Sequence, residues 1–194
     1  MKTEKEKYLC PYCNMAFDTF ETLKEHALKE HRQESTPVPE GTITLTVNGE
    51  RHQVHVEPEW TLYHLLHDRL GLLGIKMFCD RGACGSCTVI MDGRPILSCM
   101  TFAIECDGMV IETAEGIAEA GHPLVDSYVK HHTMQCGYCT PGFITTAKAL
   151  LDKNPEPTEE EVRKALSGNL CRCGTYPQHP KAVLEAAEHL KGEN

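Results

Sequence analysis

Cys79-Asp80-Arg81-Gly82-Ala83-Cys84-Gly85-Ser86-Cys87 is the stretch on which the reading of this chain turns, because it crowds three thiols into one short loop. Upstream, residues 42–47 alternate β-branched and apolar side chains, and Asn48-Gly49 is the strongest short hairpin signal, so 51–57 is the expected returning strand. Residues 61–70 place Leu62, Leu65, Leu66 and Leu70 on one helical face. Downstream come an apolar run at 88–91, an Asp92-Gly93 turn, a strand at 96–99 and a last strand at 109–113. A hairpin, a crossing helix and further strands predict an α+β unit of β-grasp type. The period then changes. Residues 124–131, 142–151, 159–166 and 180–190 read as a four-helix domain with short loops. Pro141 and Pro180 suit first helical turns, and Thr158 with Glu161 matches a capping box.

The chain of 194 residues is 41% hydrophobic and 24% charged, the profile of a globular protein able to bury a core in each of two small domains. No apolar run approaches the ~20 residues that cross a bilayer. Residues 1–7 alternate Lys and Glu without the apolar stretch of a signal peptide, so the expected location is the cytoplasm with no membrane span. With no export signal, eleven cysteines point to metal binding rather than disulfides. Ten fall into three groups: Cys10 and Cys13; Cys79, Cys84, Cys87 and Cys99; Cys136, Cys139, Cys171 and Cys173. Cys106 is left over, as a small buried thiol. The formal charge of −9 would become more negative with thiolate-bound clusters. That argues against a phosphate backbone as partner, and no nucleic acid is expected.

The C-x4-C-x2-C spacing of Cys79, Cys84 and Cys87 is that of plant-type [2Fe–2S] ferredoxins, with Cys99 as fourth ligand from the strand across the Asp92-Gly93 turn. A small cluster needs a tight wrap with amide N–H groups turned toward sulfur. Gly82 and Gly85 permit the positive φ angles this requires. A four-cysteine zinc site is the alternative, and the loop glycines and x4 spacing favour iron. In the second set, Gln135-Cys136-Gly137-Tyr138-Cys139-Thr140-Pro141-Gly142-Phe143 precedes a helix and Gly168-Asn169-Leu170-Cys171-Arg172-Cys173 follows one. Taken alone, this CxxC with CxC suits zinc and iron equally.

Together the three linked motifs, over about residues 42–191, resemble the small iron–sulfur subunit of the molybdenum hydroxylases. That family includes xanthine dehydrogenase, aldehyde oxidoreductase and carbon monoxide dehydrogenase. The resemblance implies a second [2Fe–2S] cluster on Cys136, Cys139, Cys171 and Cys173. It also implies a large partner subunit holding a molybdopterin cofactor, and electron flow from molybdenum through the helical-domain cluster, then the ferredoxin-like cluster, to a flavin (FAD) subunit or another acceptor. Gln135 would hydrogen-bond the pterin; on the residues alone it is a capping or solvent-facing amide. No substrate chemistry, and so no catalytic residue, falls on this chain. Two positions depart from the family pattern. Phe78 stands where Gly usually precedes the first cysteine, and Gly174-Thr175-Tyr176 replaces the common Thr-Gly-Tyr. The other classes open to the sequence are a free-standing two-cluster ferredoxin and a zinc-dependent nucleic-acid binder.

Tyr8-x-Cys10-x2-Cys13-x3-Phe17-x5-Leu23-x2-His26-x4-His31 matches every position of a C2H2 zinc finger, with Cys10, Cys13, His26 and His31 as Zn2+ ligands. The base-reading positions would be Thr19, Thr22 and Glu25, none of them basic. A structural or protein-docking role is expected. The organisation expected is a zinc finger at 1–34, a linker at 35–41, a ferredoxin-like β-grasp domain at 42–116 and a helical cluster-binding domain at 117–194. The remaining histidines, including His64, His67, His131 and His132, have no complementary ligand set and read as surface residues.

Overall fold

The computed structural model describes residues 7–10, 13, 15–30 and 40–192. The chain divides into two units at Pro39/Glu40. In the first, β1 (Tyr8–Leu9) pairs antiparallel with β2 (Ala16–Phe17) and leads to α1 (Phe20–Glu30), a ββα unit. The Phe17 ring lies 4.7 Å from that of His26, which ties the strand to the helix. His31 and the linker at 35–39 lie outside the described residues.

The second unit begins with the expected hairpin. β3 (Thr42–Val47) pairs with β4 (Glu50–His55) through Asn48 and Gly49, at φ 50° and 84°, the left-handed pair that a two-residue turn demands. β5 (Thr88–Met91) and β6 (Arg94–Leu97) form a second hairpin, and β7 (Val110–Glu112) runs parallel to β3 and antiparallel to β5. The sheet order β4-β3-β7-β5-β6 is the β-grasp arrangement. Its inner face buries Ile43, Leu45, Val47, Val89 and Ile111 against Leu62, Leu65 and Leu66. Each fully buried leucine contributes roughly 2 kcal/mol of transfer free energy. Leu65 and Leu66 lie in a π-turn over His64–Arg69 that takes over directly after Leu62 and Tyr63: the Leu70 N–H reaches back five residues to the Leu65 carbonyl.

Five α-helices follow, one more than expected: α2 (Ala114–Glu119), α3 (Leu124–Lys130), α4 (Thr140–Lys153), α5 (Glu159–Ala165) and α6 (Gln178–Gly192). α2 is too short to show a helical period, and it spans the expected domain boundary at 116/117. The helices bury their own core, which includes Ile117, Leu124, Tyr128, Phe143, Val162 and Val183. The strand period of two links the two cores: Val89 faces the β-grasp core and the next residue, Ile90, faces the helical one. At Thr158 the capping box is complete, with the Thr158 hydroxyl accepting from the Glu161 N–H and the Glu161 carboxylate accepting from the Thr158 N–H. Among the described residues no helix is long and apolar enough to cross a membrane.

Candidate metal centres

Cys79, Cys84 and Cys87 ride on the loop that enters β5. Asp80, Gly82 and Gly85 adopt φ of 48°, 71° and 72°, which turns the backbone inward, and the Ala83 N–H donates to Cys79 Sγ at 3.3 Å. Cys99 is not on the strand: β6 ends at Leu97, and Cys99 sits in the 3-10 turn Ser98–Met100. The sequence missed Ser98 as the brace. Its hydroxyl and N–H both donate to the Cys87 carbonyl, at 2.8 and 3.3 Å, which sets Cys99 beside Cys87. The thiols pair as Cys79 with Cys84 and Cys87 with Cys99. Burial works against ionising Cys79, but N–H groups of Arg81, Ala83 and Cys84 and the Cys84 thiol bring it down to about 7. Burial, with Cys99 alongside, pushes Cys87 up to about 12.

Cys136 and Cys139 precede α4, with Cys139 at its N-cap, where the aligned N–H dipoles favour a thiolate. Cys171 and Cys173 lie between the turn that ends α5 and the start of α6. Cys139 and Cys171 interact directly. Burial opposes ionisation of Cys171 too, but Thr175, through its hydroxyl and backbone N–H, and neighbouring Cys139 lower it to about 7; burial and Cys171 raise Cys139 to about 12. The Cys171 N–H donates to the Tyr176 hydroxyl at 2.7 Å. Gln135 is exposed, and its amide donates to the Cys173 carbonyl at 3.3 Å, joining the two cysteine pairs.

A single zinc ion on four thiolates, at ~2.3 Å each, would draw all four sulfurs to within ~3.8 Å of one another. Among the described residues neither cysteine set does this. The one group whose ligand atoms all lie within 4.8 Å is Cys10, Cys13 and His26 in the N-terminal unit, where Cys13 Sγ and His26 Nε2 stand 3.2 Å apart. Thiols in separate pairs fit a two-iron core, in which each iron takes two thiolates.

The two cysteine loops are locked together. The Leu170 N–H, one residue before Cys171, donates to the Cys84 carbonyl at 2.9 Å, and the Asn169 side chain donates to the Gly85 carbonyl at 3.0 Å. The Tyr138 hydroxyl donates to the Met77 carbonyl at 2.6 Å. Beside the helical cysteines opens a hollow of about 810 Å³ walled by Phe78, Tyr138, Leu170, Arg172 and Tyr176. Phe78, where the family pattern has Gly, is 74% exposed and forms part of this wall.

The histidines are only partly as expected. His64 and His67 stack on Trp60 and Tyr63, and His131 meets the Glu185 carboxylate at 2.6 Å. His179, read as a surface residue, is 1% exposed and lies inside the helical core. The α6 turn that follows Cys173 carries it inward, a placement no local pattern announces. Cys106 is fully buried in the β-grasp core and burial pushes its thiol up to about 11. Cys106→Ser should therefore leave both clusters in place; loss of either cluster's EPR signal would overturn the assignment of cysteines to the two sets.

Residues 45–112 match the family described as the 2Fe-2S iron-sulfur cluster binding domain, and residues 113–184 the family described as the [2Fe-2S] binding domain. The nicotinate dehydrogenase small FeS subunit of Eubacterium barkeri is 48% identical over 149 residues, covering 76% of this chain and 95% of that protein. Quinoline 2-oxidoreductase from Pseudomonas putida 86 superposes with a TM-score of 0.74 at 42% identity, over 77% of this chain and 95% of the matched chain. The aldehyde oxidoreductase of Desulfovibrio desulfuricans ATCC 27774 gives a TM-score of 0.75 at 40% identity, over 79% of this chain but 17% of its own. Two cluster-binding domains in tandem and full-length likeness to a small FeS subunit lead to one assignment: the chain belongs to the electron-transferring small [2Fe–2S] subunits of the molybdenum hydroxylase family.

Proposed function

We propose that this chain carries electrons from a molybdenum–pterin centre in a large partner subunit to an FAD subunit or another acceptor. Cys136, Cys139, Cys171 and Cys173 hold the cluster nearer molybdenum, and Cys79, Cys84, Cys87 and Cys99 hold the one nearer the acceptor. When bound, each [2Fe–2S] cluster accepts and releases one electron without moving protein atoms far. The observation that carries this reading is the direct backbone hydrogen bond from Leu170 to Cys84. It joins the loop of one cysteine set to the loop of the other and gives a short, rigid connection between them. Gln135, exposed at the edge of the helical set and bonded through its amide to the Cys173 carbonyl, would hydrogen-bond the pterin. The apolar hollow with exposed Phe78, Tyr138, Leu170 and Tyr176 suits a protein surface rather than water. In the Desulfovibrio desulfuricans relative the matching region is a minor part of a longer chain, which supports a separate large subunit here. The location that goes with this reading is the cytoplasm.

Cys10, Cys13 and His26 come together as a zinc set that His31, outside the described residues, would complete, and zinc would tie the strand pair to α1 in a unit too small to fold on its own core. Its acidic balance, six basic against seven acidic side chains over residues 1–34, favours docking to protein over DNA.

Metal analysis of the complex purified with its native partners tests all of this together. The expected content per chain is about four iron, four acid-labile sulfide and one zinc, with molybdenum in the large subunit. Saturation at two iron under anaerobic reconstitution would refute two clusters, and a complex without molybdenum would refute the assignment of the partner.

A further inference from the structure

The transposed Gly174-Thr175 pair places a buried hydroxyl between two groups. Thr175 Oγ1 lies 3.1 Å from Cys171 Sγ and 3.1 Å from His179 Nε2, and Thr175 and His179 are 3% and 1% exposed. The imidazole is clamped: it stacks on Phe143 at 3.9 Å and 5°, with the Tyr128 ring 5.5 Å away. His179 Nδ1 is buried and has no hydrogen-bond partner among the described residues. A threonine hydroxyl has one proton and cannot donate to both neighbours. Burial lowers His179 to about 4, so the ring is neutral and carries a single proton. Leaving Nδ1 as the bare nitrogen avoids a buried N–H without an acceptor, so the ring proton belongs on Nε2.

We infer that His179 and Thr175 form a one-way donor chain, His179 Nε2–H to Thr175 Oγ1–H to Cys171 Sγ, which raises the reduction potential of the helical cluster. This rests on Cys171 being a ligand of that cluster. A thiolate can only accept, so the Thr175 proton points at sulfur, and His179, by donating to the oxygen, prevents the hydroxyl from turning away. A donor aimed at a ligand sulfur stabilises the reduced, more negative state over the oxidised one. Thr175 touches the ligand; His179 is a positioning residue that acts only through Thr175. The fixed ring makes the hydrogen bond preorganised, so no reorientation accompanies each electron.

Redox titration of the full-length holo-protein, with both clusters followed by EPR, tests this. Thr175→Val should lower the reduction equilibrium constant of the helical cluster about tenfold, which is about 59 mV for a one-electron couple, and leave the ferredoxin-like cluster unchanged. His179→Leu should lower it by less, and His179→Gln, whose amide can donate from the same place, should restore it. The Thr175→Val/His179→Leu double variant should shift no further than Thr175→Val alone. An unchanged potential in Thr175→Val, or additive shifts in the double variant, overturns the chain. If Thr175→Val loses the cluster, Thr175→Ser and the His179→Leu and His179→Gln pair carry the same test, with failure of Gln to restore the potential as the overturning result. Cys171→Ala, which offers no ligand atom, separates the two levels: a helical-cluster signal that survives it unchanged removes the ligand assignment, and the donor chain with it.

Discussion

Cys139→Ser, in the assembled complex, is expected to abolish reduction by substrate of the cluster on Cys79, Cys84, Cys87 and Cys99. Cys139, at the N-cap of α4, interacts directly with Cys171, and in the proposed ligand set the loss of one of these thiols removes two-point attachment of an iron and with it the helical cluster. The ferredoxin-like loop keeps its own ligands and N–H donors, so its cluster should still assemble and still be reducible by dithionite. Cys87→Ser should give the opposite pattern: the ferredoxin-like cluster is lost and turnover with the acceptor stops, while substrate still reduces the helical cluster. Rapid-freeze EPR after mixing complex with substrate distinguishes the two. Normal substrate reduction of the Cys79 set in the Cys139→Ser complex would reverse the proposed order of electron flow.

Gly85→Ala should destabilise the second unit far more than Gly93→Ala, although both glycines have φ of +72°. A methyl at Gly93 meets nothing within 4 Å and costs about 1 kcal/mol, the left-handed backbone term alone. A methyl at Gly85 would stand 2.6 Å from the Gly168 carbonyl oxygen and 2.7 Å from the Asn169 amide nitrogen. Gly168 and Asn169 belong to the other cysteine loop, which cannot retreat without breaking the Leu170 to Cys84 hydrogen bond. The total penalty is about 2–5 kcal/mol when overpacking is added. Gly142 of α4 also comes so close to the Gly85 carbonyl that a Cβ at 142 would overlap it, which leaves the loop little room to relax. Urea unfolding midpoints of the holo-protein, with cluster absorbance followed alongside, measure the difference. If Gly85→Ala costs no more than Gly93→Ala, the close approach of the two loops is wrong.

By itself the sequence determined the elements whose signals are local. The 42–47 alternation with Asn48-Gly49, the Thr158 capping box and the burial of the leucines at 62, 65 and 66 all read correctly, since each is set by neighbours along the chain. Where a short element lacked a full period, as with α2, or where a turn took an unusual hydrogen-bond span, as at His64–Arg69, the sequence reading fell short. Alternation alone puts Cys99 on a strand, because it does not reveal where a strand gives way to a 3-10 turn.

Only the tertiary structure decided the relations between distant segments. Ser98 bracing Cys87, Asn169 and Leu170 bonding Gly85 and Cys84, and Gly85 fitting under Gly142 join residues far apart in sequence. His179 shows the limit most plainly. Eight residues beyond Cys171 and with no ligand spacing, it looks like any exposed helix residue, yet α6 packs it against Phe143 and aims Nε2 at Thr175. Spacing determines which atoms can hold a metal, because chain reach is local. What surrounds and tunes those atoms is determined by which helices and loops pack upon them, and burial free energy summed over a whole core makes that choice.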